Sequence, residues 1–387
     1  MKNFCSATWE EVNINLGSRF IKYCCHSSSI RLPEVLTVDW ILNNLEIQGR
    51  KQAMLADQRH AHCQICYKQE DENGTSIRFL KNTIDTQHRI IKNPSGDYFK
   101  KIEISFDNIC NQSCIYCDET HSSLIAEEKG LPIKFRKHTE EDIEVLANWI
   151  STIETSEDNP KILKFLGGEP TASKNYFSFI EKLIESSSDK HFIVHTITNG
   201  NTSDKILNKI DQYIKSAKNW KWVFGISNEA TGAIAENVRF KLDINQFDKA
   251  LEFYANHDNV YFVTFSMSQN IFTIKDLPNY FKYVDDKFVK SKKNYGFAYN
   301  WVANPEVLHP KYLPNDFKRF IQETRNLVNN TTSNVDKPSL LNYLSQLEKI
   351  IGTEQIDMNR LISWLDIAKK QKNGTLNTEL LLSQLTI

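Results

Sequence analysis

From Lys101 onward, short apolar runs alternate with stretches of helical periodicity. The runs predict strands over Lys101–Asp107, Ile162–Leu166, His191–Thr198, Lys221–Ser227, Val260–Ser266 and Tyr295–Val302. Between them, apolar residues recur at helical spacing over Glu140–Thr155, Ser173–Ser187, Asp204–Ser216, Gln246–Asn256 and Lys275–Asp286. Six strands separated by helices imply successive right-handed βαβ units and a parallel sheet, either open or curved into a partial barrel. In both cases ligands collect at the C-terminal ends of the strands. After Pro314 the pattern is helical only, over Asn315–Val328, Lys337–Ile351, Thr353–Lys370 and Asn377–Leu385, with a loop at Asn329–Val335. This tail carries no chemical motif and reads as helices packed on a flank. Before residue 98 the pattern is irregular. It suggests a hairpin over Ile14–Tyr23, turning at Leu16-Gly17-Ser18, and a helix from Thr37-Val38-Asp39 to about Ala56. The turn Asn93-Pro94-Ser95-Gly96-Asp97 marks a boundary. The expected organisation is 1–98, 99–313 and 314–387.

Composition narrows the partners. With 387 residues and 40% hydrophobic content the chain can bury one large core, or one core and a smaller domain. Lys+Arg 47 against Asp+Glu 48 leaves a net charge of -1. No overall positive field draws it to nucleic acid or an anionic membrane. The first residues lack the apolar core of a signal peptide, and no run has the length and apolarity of a membrane helix, so a cytoplasmic location is expected.

The chemistry lies in eight cysteines, none beyond residue 117. Such clustering argues for metal binding over scattered core thiols or a disulfide framework. Cys110, Cys114 and Cys117 form a C-x3-C-x2-C loop directly after the first parallel strand. Soft thiolates select zinc or iron–sulfur centres. Three ligands on one face of a 4Fe–4S cubane leave one iron open, as a chemically active cluster needs.

This loop, with the aromatic Tyr116 before its last cysteine, resembles the signature of the radical S-adenosylmethionine (SAM) superfamily. The resemblance extends along the chain. Gly167-Gly168-Glu169-Pro170 after the second strand is similar to the family's GGE segment, which holds the SAM amino group; glycines permit close backbone approach and a carboxylate takes an ammonium. Thr198-Asn199-Gly200 follows the third strand. Ser227-Asn228 follows the fourth, where relatives carry Ser and Asp near the SAM ribose, so Asn228 is a departure. Arg239 resembles the arginine that pairs with the SAM carboxylate. Ser266 and Val302 stand at the ends of the fifth and sixth strands, near the nucleoside position. The resemblance implies an α/β fold with a partial (β/α)6 parallel barrel, a cluster at Cys110, Cys114 and Cys117, and SAM as cofactor. Reductive cleavage would give a 5′-deoxyadenosyl radical that abstracts substrate hydrogen. The cofactor supplies the reactivity, and the protein supplies position and exclusion of water.

Upstream stand Cys5, Cys24, Cys25, Cys63 and Cys66. From spacing alone, Cys63-x2-Cys66 with His60, His62 and the vicinal pair suits zinc as well as iron–sulfur. Residues 4–78 resemble a radical SAM subgroup with an N-terminal twitch domain. The resemblance rests on Phe4-Cys5 and Trp9, Gly17 and Cys24-Cys25, Arg50 and Met54, and Cys63-x2-Cys66-Tyr67-x2-Glu70-x3-Gly74-x-Ser76-x-Arg78. It implies an auxiliary 4Fe–4S cluster, with one of Cys24 and Cys25 spare; the helical pattern after Pro314 adds a C-terminal helical extension on the barrel flank. The expected function is radical modification of a peptide or protein side chain. A small molecule (sugar, nucleotide or amino-acid derivative) is the alternative, and a non-catalytic zinc or iron–sulfur module the rival. An electron donor such as flavodoxin or ferredoxin is the expected partner. Near-neutral charge argues against RNA.

Overall fold

A computed structural model describes residues 2–96, 98–131 and 140–386. Asp97 of the expected boundary turn lies outside the described residues.

The six predicted strands form, in order, within one or two residues of their predicted starts. Numbered in chain order, they are β4 (Lys101–Ser105), β5 (Lys161–Leu166), β6 (Phe192–Thr198), β7 (Lys221–Ile226), β8 (Val260–Gln269) and β9 (Tyr295–Trp301). Each pairs in parallel with the next. Alternation decides the faces, because successive side chains of a strand point to opposite sides. Ile102, Ile104, Leu163, Phe165 and Val194 enter the main core with the apolar sides of the helices. The partners one residue along, such as Glu103, Lys164 and His195, line the inner face of the partial barrel.

The irregular N-terminal region adds three strands to this sheet. β1 (Glu11–Asn15) pairs in parallel with β4, and β2 (Phe20–Lys22) and β3 (Ile30–Arg31) follow antiparallel, so the order is β3-β2-β1-β4-β5-β6-β7-β8-β9. The expected hairpin is present, turning between Asn15 and Phe20. Its first strand joins the barrel edge because Val12 and Ile14 continue the apolar outer face of β4. The single helix expected over residues 37–56 is two, Val38–Asn43 and Leu45–Leu55. Asn44 interrupts it in an extended conformation, and its side chain accepts from Ile47 N at 3.1 Å as the second helix's cap.

The helical tail forms Lys318–Asn330, Lys337–Ile350, Met358–Gln371 and Thr378–Ser383. It does more than cover a flank. Trp364, Ile367, Ala368, Gln371 and Lys372 share a cavity with Cys114, Ile115 and Cys117, so the third helix lies over the cysteine loop. Among the described residues no helix is long and apolar enough to cross a membrane.

Candidate active site

β4 ends at Ser105 and the chain turns into the cysteine loop, which is clamped from several sides. Asn108 Nδ2 donates to Glu119 O at 3.0 Å, Ser122 Oγ to Gln112 O at 2.8 Å, and the Ser113 and Ile115 amides to Phe240 O and Val238 O, each at 2.9 Å. The end of β5 lies directly against it. Glu169 N donates to Ile109 O at 2.7 Å and Gly168 N to Asp107 O at 3.2 Å. This contact explains the paired glycines. Gly167 has φ +142°, and a Cβ there would stand 2.7 Å from Asp107 O; on Gly168 it would stand 2.3 Å from Ile109 O. Both glycines border the ligand pocket, yet the backbone they admit at closest range is the cysteine loop itself.

One cavity collects most of the expected residues. Cys110, Cys114, Tyr116 and Cys117 line it with Gly167, Gly168, Glu169, Thr198, Asn199, Ser227 and Arg239. Ser266 faces the same side of β8 two residues before Ser268, which does line the cavity. Asn228 is turned away; its side chain accepts from Glu229 N at 2.9 Å and donates to Ala230 O at 3.0 Å, closing a turn. Val302 is buried, its amide donating to Gln269 O at 2.8 Å.

Glu169 bridges the strand ends through hydrogen bonds. Oε1 accepts from Thr171 N at 2.9 Å and Thr171 Oγ1 at 2.7 Å, and Oε2 from Asn199 N at 2.5 Å. Burial pushes its pKa up, and these hydrogen bonds oppose the shift. Asn199 donates in turn to Asn111 Oδ1 at 2.7 Å and to Cys110 Sγ at 3.9 Å.

Sequence reading missed Glu229. It is fully buried, accepts from Tyr116 Oη at 2.8 Å and from Ser268 N at 3.2 Å, and pairs with Arg239 at 2.6 Å. Burial works against the Arg239 charge, but Glu229 holds the guanidinium protonated. The guanidinium lies 5.7 Å from the Tyr116 ring centre. The available signal was an acidic residue two places beyond Ser227. His121 and Gln112, also on the cavity wall, carried no signal in the sequence.

The three thiols fit a 4Fe–4S cluster by donor chemistry. Burial, then the neighbouring Cys114 charge, pushes Cys110 and Cys117 up to about 12, and burial pushes Cys114 up as well. Three soft donors so placed ionise together only beside a cationic centre. Among the described residues no three His, Cys, Asp or Glu side chains converge as a single metal ion requires. Thiolates on a cubane face each bind a different iron and need no such convergence.

A second thiol group lies at the other end of the sheet. Cys5 precedes β1 and Cys24 follows β2, at the N-terminal ends of the parallel strands, whereas Cys110 follows the C-terminal end of β4. Burial pushes Cys5 up to about 12 and Cys63 up to about 11, and Cys24 raises both; Cys66 adds to Cys63. Cys5, Cys63 and Cys24 pack with Phe4, Trp9, Met54 and Tyr67. Cys25 points elsewhere. It is exposed and neighbours Lys81, Glu11 and Lys101. The residues flanking the cysteines build the enclosure. Arg78 pairs with Glu70, donates to Lys2 O and Phe4 O at 2.8 Å each, and stacks 5.0 Å from the Tyr67 ring. It thereby ties Phe4-Cys5 to the helix carrying Cys66. Buried Arg50 contacts His62 Nδ1 at 3.1 Å. Gly74, at φ +73°, ends that helix in the left-handed conformation.

A parallel partial barrel with three thiols on the loop after β4 defines an iron–sulfur class of catalyst. Residues 104–267 match the model of the Radical SAM superfamily. The chain therefore carries a radical SAM domain and is a radical SAM enzyme. It takes a 4Fe–4S cluster and SAM, and it uses a substrate and a reductant. No curated protein matches the chain. Among solved structures, one of TYW1 with a lysine-pyruvate adduct bound is similar at 13% identity, over 61% of this chain and 75% of that one, with a TM-score of 0.34.

Proposed function

We propose that this enzyme abstracts hydrogen from a peptide or protein side chain held on the inner face of the partial barrel. In this reading Cys5, Cys24, Cys63 and Cys66 would hold a second 4Fe–4S cluster, which would supply an electron acceptor for the substrate. When bound, the first cluster and SAM supply reductive cleavage and a 5′-deoxyadenosyl radical. The chain's own residues do the rest. Cys110, Cys114 and Cys117 hold the cluster. Glu169 and Arg239 supply the charges that meet the SAM amino and carboxylate groups, with Thr198, Asn199 and Ser227 beside them. Tyr116 and Glu229 keep Arg239 in place. The helix Met358–Gln371 covers the loop and limits water.

The observation that carries the second cluster is the placement of the four thiols. They lie at the N-terminal end of β1, beside β4, whose C-terminal end leads into the SAM cavity, so a substrate on the inner face lies between two redox sites. Exposed Ala298 and Asn300 leave the β9 side of that face open. An open side admits a segment of peptide chain. The N-terminal thiol region is then the auxiliary domain of the twitch subgroup.

Anaerobic reconstitution with iron and sulfide tests the reading. The parent should hold about eight irons and form 5′-deoxyadenosine with dithionite. A Cys63→Ser, Cys66→Ser variant should hold about four and still cleave SAM. Four irons in the parent, with zinc in the remaining site, would refute the second cluster.

A further inference from the structure

The inner face of the sheet carries one polar layer that belongs to neither thiol site. Asn13 stands beside Glu103, Glu103 beside Lys164, and Lys164 beside His195, across four neighbouring strands at one level. On β5 and β6 this layer is bounded below by Ile162 and Ile193 and above by Leu166 and Ile197. Ile197 lines the SAM cavity. His195 is therefore one inward-facing position deeper, about 7 Å along the strand.

The layer has more positive charge than it neutralises. Glu103 accepts from the Asn13 amide and pairs with both Lys164 at 3.2 Å and Lys101 at 3.3 Å. Two ammonium groups share one carboxylate. The lysine side chains remain 27% and 29% exposed, so they border open space and not a dry core. His195 presents a second unsatisfied feature. Its Nε2 is buried without a hydrogen-bond partner. The imidazole is seated against Gly225, where a Cβ would come within 3.0 Å of that nitrogen. Burial, with Lys164 and Lys101 adding to it, lowers its pKa to about 4, so the imidazole is neutral at physiological pH. An orphaned ring nitrogen between apolar layers costs stability. A ligand group that accepts from the lysines would neutralise the excess and lie beside the imidazole, whose signal then reports it.

We propose that the Asn13–Glu103–Lys164–His195 layer, with Lys101, anchors the substrate by binding a carboxylate. This rests on the reading that the inner face receives the substrate. Lysine ammonium groups bind carboxylate and phosphate alike as point charges, so the phosphate probe below is the arm that separates the two. The layer lies between the SAM cavity and the region of Cys25 and Glu11. A substrate anchored there has its next atoms directed toward the SAM cavity.

The test is a binding measurement independent of turnover. Holoenzyme with oxidised cluster and SAM bound, without reductant, is labelled with 13C at its ten histidines, and His195 is assigned through His195→Gln. Filling the SAM site removes Arg239 as a competing carboxylate receptor. The probes are glutarate, the acetylated and amidated peptide Ala-Glu-Ala, glutaramide and inorganic phosphate. A saturable shift of the His195 signal with glutarate or the glutamyl peptide, absent with glutaramide and lost in Lys164→Met, supports the anchor. Response to the peptide alone assigns a peptide-borne carboxylate, and response to glutarate a free acid. Lys101→Met serves as the second variant should Lys164→Met lose its iron. An equal response to glutaramide, a preference for phosphate, or no carboxylate response overturns the proposal. Formation of 5′-deoxyadenosine by the same preparation shows that the radical chemistry stands regardless.

Discussion

Arg239 is already paired before any ligand arrives, its Nη2 2.6 Å from Glu229 Oε2 with both side chains buried. A buried ion pair is costly to break from one side, because the remaining charge loses both its partner and its solvent. Glu229→Ala should therefore lower unfolding stability by about 3–5 kcal/mol in a denaturant titration. It also frees Tyr116 Oη, so the tyrosine side chain should gain mobility at the cavity wall. A loss below about 1 kcal/mol would mean that the pair is not what holds Arg239.

The paired glycines make a separate, more local prediction. A methyl group on Gly168 falls 2.3 Å from Ile109 O, on rigid backbone that cannot yield as a flexible side chain would. Gly168→Ala should displace the loop carrying Cys110 and cost about 1–3 kcal/mol. Because the sheet ladder is untouched, circular dichroism should stay near that of the parent while iron at the three-cysteine site is lost. Full iron with normal SAM cleavage would contradict the role of the close contact.

The vicinal pair Cys24-Cys25 separates in the structure. Cys24 packs with Cys5 and Cys63, whereas Cys25 is exposed beside Lys81 and Glu11. Cys24→Ser should lose about half the iron of the reconstituted protein, and Cys25→Ser should lose none. Metal analysis of both variants, prepared side by side, decides between the two residues.

The strands were legible because each carries a run of β-branched and aromatic residues bounded by turn residues, as in Lys-Ile-Leu-Lys-Phe-Leu of β5. The thiol loop was legible because its spacing is local. What escaped reading depends on pairs distant in sequence. Glu229 meets Tyr116 from 113 residues away, and no local pattern announces such a contact. The edge position of β1 follows from its register with β4, Val12 against Ile102 and Ile14 against Ile104. A five-residue strand in an irregular region does not reveal its partner. Asn228 follows Ser227 where relatives carry Asp, and its short amide closes the turn on Glu229 and Ala230, a contact that the sequence pattern does not announce.

His195 should make stability depend on pH in a defined window. Its folded pKa of about 4 lies below the ordinary 6.5. Between these values the unfolded chain takes up a proton that the folded chain does not. Stability therefore rises with pH from about 4 to 6.5, is constant above, and falls as acid is added, by about 3 kcal/mol across the window. His195→Gln should flatten this part of the profile relative to the parent under identical anaerobic conditions. An unchanged slope would show that other groups dominate acid unfolding.

The helix Met358–Gln371 makes the last prediction. Lys372 ends a segment with no recognisable motif, yet its Nζ lies 2.6 Å from Glu128 Oε2, and both are largely buried. Burial lowers the Lys372 pKa, and Glu128 opposes the shift. Glu128 in turn accepts from Ser113 Oγ at 2.9 Å, inside the cysteine loop. The contact thus joins the tail to the loop that holds the thiols, over the cavity where Trp364 and Ala368 face Cys114 and Cys117. Lys372→Met keeps the apolar stem and removes the charge. Glu128 would retain Ser113 and the more distant Lys241, at 3.8 Å, so the fold should survive. A charged hydrogen bond contributes about 1.5–3 kcal/mol, which if spent on local opening corresponds to at least about tenfold faster amide exchange in residues 358–372 and the cysteine loop. The cluster should then bleach several-fold faster in the presence of a chelator, with the global unfolding midpoint little changed. Exchange and bleaching both equal to the parent's would reduce the tail to a passive flank.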